Sequence, residues 1–91
     1  MNHRVESESG HLVEFVVSEG RIVDMLVDWP EDQDELLFTQ GVPAHVKVED
    51  APEHVRARAG TYGMDVCYYD PDRCRTCYCD GAGHMRCVGM C

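Results

Sequence analysis

All six cysteines of this 91-residue chain fall between Cys67 and Cys91, and none lies in the first sixty-six residues. A chain this short buries only about 60–65% of the surface that its unfolded form exposes, so an apolar core alone is marginal. Small extracellular domains make up that deficit with disulfides, and an even cysteine count in a short glycine-rich segment fits that solution. The expectation is a secreted protein. The N-terminus, MNHRVESESGHLVEF, has neither an apolar stretch nor a small-residue cleavage site, which predicts a mature secreted chain whose signal peptide is already gone.

The cysteine spacing is Cys67-x6-Cys74-x2-Cys77-x-Cys79-x7-Cys87-x3-Cys91. The run RTCYCDGAGHMRC reads as two strands joined by Gly81-Ala82-Gly83, a loop suited to left-handed backbone. If Asp80 faces His84, then Cys79 faces Met85, Tyr78 faces Arg86 and Cys77 faces Cys87. Directly opposed residues at a non-hydrogen-bonded pair have Cα atoms about 4.5 Å apart, within bridging range. The register therefore predicts Cys77–Cys87. Cys67, Cys74, Cys79 and Cys91 then have three possible connectivities. A rival use of the same residues is a four-cysteine zinc site from Cys74, Cys77, Cys87 and Cys91, with His84 as a spare ligand. It needs a reducing compartment and leaves Cys67 and Cys79 unexplained, so neither a metal nor a cofactor is expected.

The cysteine-free part has a different pattern. From His11 the apolar residues recur with period two: Val13, Phe15 and Val17, then, after Ser18-Glu19-Gly20, Val23, Met25 and Val27. This predicts a β-hairpin. An acidic loop runs from Asp28 to Glu35, Leu36-Leu37-Phe38 returns to the core, and Ala44, Val46 and Val48 alternate in a further strand. Residues 52–59 fit either a strand through Val55, Ala57 and Ala59 or a short helix ending at Gly60; the strand is favoured. The first ten residues are polar and read as a frayed tail. The fold class is thus mostly β, small and disulfide-rich. Its expected organisation is a flexible tail at 1–10, an acidic antiparallel β headgroup at 11–59 and a flat, disulfide-stapled subdomain at 60–91.

Charge and motifs exclude several functions. Asp and Glu outnumber Lys and Arg 17 to 8, for a net charge of −9. That balance excludes nucleic acid and anionic membrane surfaces as partners. The longest apolar runs fall far short of the roughly 20 residues that a spanning helix needs. No GxSxG, HExxH or phosphate-cradling glycine loop is present, the histidines form no ligand pair, and cystine sulfurs are not nucleophiles. The carboxylates Glu31, Asp32, Asp34 and Glu35 lack EF-hand spacing and read as a solvated loop. An enzyme is not expected.

Binding remains. Tyr68, Tyr69, Asp70, Arg73 and Arg75 crowd the cysteines, and Trp29 stands in the acidic loop. Tyr, Trp and Arg dominate interface energetics, which makes these six the partner-binding candidates. In a stapled segment with little core, tyrosines also serve to cover disulfides. Even cysteine pairing fits a monomer.

The run DPDRCRTCYCDGAGHMRCVGMC resembles the first half of a von Willebrand factor type C module, and the preceding TYGMDV is similar to the segment before that motif. The likeness covers about residues 60–91. Where the family usually has an aromatic residue this chain has Cys67, and the module's second half is missing. The resemblance implies Cys77–Cys87, Cys67–Cys79 and Cys74–Cys91. The whole arrangement, an acidic β headgroup before a type C-like half, is similar to tick salivary complement inhibitors of the CirpT type. That implies a secreted protein that binds the fifth complement component and sterically blocks its activation. Type C-like modules also bind growth factors, so an antagonist of a growth factor or chemokine is the alternative. An intracellular zinc-binding protein is the rival from a different class.

Overall fold

The computed structural model describes residues 2–27, 35–39 and 51–89. Among the described residues, seven strands and one helix follow in the order β1 (Asn2–Glu6), β2 (Leu12–Ser18), β3 (Arg21–Val27), β4 (Glu35–Phe38), α1 (Glu53–Tyr62), β5 (Asp65–Asp70), β6 (Arg75–Cys79) and β7 (Met85–Val88). They form two antiparallel sheets, one ordered β1-β2-β3 and the other β4-β7-β6-β5. The expected class, a small disulfide-rich β protein, is the observed one.

The β2–β3 hairpin closes through Glu19 (φ 54°) and Gly20 (φ 76°), two successive left-handed residues that match the right-handed strand twist. Its register departs from simple alternation. Val16 pairs with Asp24 and Val17 with Ile22, so Val23 is an extra residue in β3. The bulge turns Ile22 into the core and leaves Val23 55% exposed, correcting the expectation that Val23 shares a face with Met25.

Two further expectations are corrected. The first residues are not a frayed tail: Asn2–Glu6 pairs along its length with β2, with Val5 buried opposite Val13. Only Val5 marks this strand as apolar, so its ladder with β2, not its composition, holds it. Residues 52–59 are not a strand either. Val55, Ala59 and Tyr62 recur at i, i+4 and i+7 and face the second sheet, whereas Ala57 is exposed. The helix runs through Gly60 and ends at Gly63 (φ 69°). There the Met64 amide donates to the Ala59 carbonyl and the Gly63 amide to that of Gly60, a Schellman closure with Met64 packed beside Ala59. The expected division at 59/60 thus falls inside a helix, and β4 pairs with β7, so residues of the two expected units share one sheet. The strand expected around Ala44–Val48 lies outside the described residues.

The second sheet is the middle of three layers. On one side Val5, Val13, Phe15, Ile22 and Met25 meet Leu36, Phe38, Cys77, Met85 and Cys87 in one core, with Phe15 edge-on to Phe38 at 6.3 Å between centroids. On the other, Val66, Tyr78 and Val88 lie under Val55 and Ala59, and Tyr62 meets Tyr78 edge-on at 5.2 Å. Strand β6 is buried on both faces for this reason: Cys77 and Cys79 point to the first sheet, Thr76 and Tyr78 to the helix side. The free edge of β4 is tied as well, because the Glu8 amide donates to the Leu37 carbonyl at 2.8 Å.

Candidate functional site

The β6–β7 hairpin has the register read from its loop. Cys77 pairs with Cys87, Tyr78 with Arg86 and Cys79 with Met85, while Gly81 and Gly83 take φ of 79° and 95°. Asp80 fixes the turn by accepting the amides of Ala82 and His84 and the His84 Nδ1 at 2.7 Å. The Ala82 amide, chief among these, holds the Asp80 carboxyl below the usual carboxylate value. Cys77–Cys87 is a disulfide with Cα atoms 4.0 Å apart, and Cys67–Cys79 is a second at 5.8 Å. All four of these cysteines are buried. Cys74 is also disulfide-bonded, at a left-handed position (φ 53°), and the expected pairing with Cys91 lies outside the described residues. With Cys74, Cys77 and Cys87 all in disulfides, three of the four residues of the zinc alternative are not thiolates.

The Tyr68–Arg75 stretch holds a connected polar cluster. Arg73 donates from Nε to Asp70 at 2.6 Å, from Nη2 to Asp24 at 2.9 Å and to the Tyr68 hydroxyl at 3.0 Å, and from Nη1 to the Met25 carbonyl at 3.4 Å. Tyr68 in turn donates to Asp70 at 3.2 Å. Asp70 also accepts the amides of Asp72 and Arg73, which shapes the turn that follows β5. The hydrogen bond from Arg73 lowers the Asp70 pKa and raises that of Arg73 in return. Burial, with the Asp70 charge second, pushes the Tyr68 phenol up.

These contacts divide the candidate residues. Tyr68 is 6% exposed and belongs to the core that covers the disulfides, so its ring is not an interface side chain as folded. Asp70 and Arg73 lie at the surface but hold each other and Asp24. Arg75 donates to the Arg73 carbonyl at 3.1 Å. Tyr69, half-buried, packs against the helix-side cluster. Trp29 lies outside the described residues.

Beside this cluster a groove of about 460 Å³ opens between the β2–β3 turn and β5. Ser18, Glu19, Arg21, Ile22, Val23, Tyr68 and Tyr69 line it, its surface is mainly polar, and Val23 is the large apolar side chain exposed there. The sequence carries no sign of it, because the bulge that presents Val23 leaves no mark beyond one apolar residue in an alternating run. Leu12, 65% exposed, is the other large apolar side chain at the surface among the described residues. No described helix is long and apolar enough to cross a membrane. Comparison with family models, with curated proteins and with solved structures finds no match to this chain.

Proposed function

We propose that this chain is a secreted, non-enzymatic inhibitor that occupies one surface of a larger extracellular protein and blocks it sterically. The observation that carries this reading is the pair of disulfides buried in the central sheet, which commits four cysteines to framework. Such bridges persist in oxidising compartments. The sulfurs hold a scaffold, and function falls to the surface around it. The type C-like cysteine segment supports protein binding as that function. The resemblance to tick salivary complement inhibitors supplies the target, the fifth complement component, whose activation the bound chain obstructs without turnover. A net charge of −9 supports fast, salt-sensitive association with a basic patch on such a target.

The test is affinity capture from mammalian serum with the oxidised chain as bait and mass spectrometry as the readout. The proposal expects the fifth complement component on the oxidised chain and not on a reduced, alkylated control. A basic growth factor or chemokine in its place would keep the inhibitor class and change the target. A bait that retains no serum protein removes the complement reading.

A further inference from the structure

We infer that Arg73 and Asp24 form a strap that closes the outer edge of β3 to strand addition. The occupant it keeps out is the β3 edge of a second copy of this chain. The strap thereby holds the folded chain as a monomer, a role separate from any partner that the chain inhibits.

Among the described residues β3 is the terminal strand of its sheet. A terminal strand carries a row of main-chain donors and acceptors that no neighbouring strand meets. At Met25 side chains meet them instead. The Met25 amide donates to Asp24 Oδ1 at 2.8 Å, and the Met25 carbonyl accepts from Arg73 Nη1 at 3.4 Å. Arg73 Nη2 donates to that same Asp24 oxygen at 2.9 Å. One guanidinium–carboxylate pair thus spans donor and acceptor, as an added strand would. Asp70 anchors the strap by accepting Arg73 Nε at 2.6 Å and the Arg73 amide at 3.2 Å. The side chains of Arg73 and Asp24 are 51% and 46% exposed, whereas Met25 beneath them is 2% exposed. Truncating either one therefore opens the peptide groups of Met25 toward the solvent. The bulge at Val23 is a second barrier on the same edge, because a bulge bends a strand away from flat pairing.

Self-pairing follows from Met25 offering both a donor and an acceptor. Opposed residues of antiparallel strands exchange two hydrogen bonds, so two Met25 residues facing across a twofold axis complete such a pair. That register sets Asp24 opposite Leu26 of the copy and brings no like charges face to face. A net charge of −9 on each chain opposes the encounter at long range, and salt screens that repulsion. Self-association through an opened edge therefore rises with salt, the reverse of an ion-paired contact.

The experiment measures the mass of the full oxidised chain by size-exclusion chromatography with light scattering, over a concentration series at low and high salt. Wild type should stay monomeric. Arg73→Ala and Asp24→Ala should each tighten dimerisation by about tenfold or more, most clearly at high salt. Asp24→Ala leaves Arg73 bonded to Asp70, which keeps the test open if Arg73→Ala does not fold. Adding Val23→Lys to either variant should restore the monomer without restoring the thermal midpoint. Val23 is already exposed, and a lysine on a strand edge blocks addition. A purely structural role for Arg73 predicts no such rescue. A dimeric wild type, folded variants that stay monomeric throughout, dimers that survive Val23→Lys, or dimerisation that falls as salt rises would each overturn the inference.

Discussion

The Arg73 guanidinium lies 2.9 Å from the Asp24 carboxylate, across 49 positions of sequence, and ties the turn after β5 to β3 in the other sheet. The same side chain reaches Asp70, the Tyr68 hydroxyl and the Met25 carbonyl. The guanidinium reaches these four acceptors from three separate nitrogens, a spread that the single nitrogen of lysine does not reproduce. Both Arg73→Lys and Asp24→Asn are expected to lower the thermal midpoint and speed amide exchange around Met25. Their effects should not add in a double-mutant cycle, because each weakens the same contact. Additive effects would show that the contact carries no coupling.

Gly60 in α1 and Gly63 just past its end should respond with opposite signs. Gly60 is in the helix with open space around its Cα, and Ala there should stabilise by about 0.5–1 kcal/mol. Gly63 also has open space, but its φ of 69° is left-handed, and Ala there should destabilise by about 1–2 kcal/mol. Urea denaturation of the two variants gives both numbers. Equal signs would contradict the Schellman closure at Gly63.

Disulfide mapping of the native protein should give a Cys67–Cys79 peptide and a Cys77–Cys87 peptide, and intact mass should be lower than the reduced chain by one hydrogen per cysteine. Paired Cys77→Ser and Cys87→Ser changes remove a bridge between residues separated by 10 in sequence. The loss should be about 2–3 kcal/mol in the chain-entropy account. Free thiols together with bound zinc would contradict the fold described.

Stability should fall at both ends of the pH range. Asp70 and Asp80 have folded pKa values below the ordinary 3.8, so their contribution is complete above that value and is lost as pH falls through the depressed ones. The gap in stability between wild type and Asp80→Asn should therefore close on acidification. Tyr68 and Tyr78 have pKa values raised above 10.0, chiefly by burial. Their contribution is complete below 10.0 and is lost as pH rises through the raised values, so tyrosinate absorbance should appear together with unfolding. A flat acid limb, or an unshifted titration of all four tyrosines, would contradict these environments.

The β6–β7 hairpin was legible residue by residue because its three-residue glycine loop sets the register locally, and register places Cys77 against Cys87. The β2–β3 hairpin was legible in type but not in phase, since a single bulge at Val23 inverts which neighbour is buried. Helix α1 was ambiguous because Val55 and Ala59 satisfy both a two-residue and a four-residue period, and contact with the second sheet decides between them. Strand β1 and the joining of β4 to β7 depend on pairing across long stretches of chain, which local pattern does not encode. Tyr68 and Arg73 are expected from the sequence to meet a partner; Tyr68 is instead buried in the core, and Arg73, at the surface, bonds to Asp24, Asp70, Tyr68 and Met25 of its own chain. The groove depends on the bulge, which no local pattern marks.

Steric inhibition by the folded, oxidised chain, as proposed above, is tested by direct mixing with purified fifth complement component. Size-exclusion chromatography should show a one-to-one complex that forms more slowly at high salt, and added chain should stop serum lysis of antibody-coated red cells stoichiometrically. Undiminished lysis at a molar excess of oxidised chain, with no complex on the column, would rule out inhibition through this component.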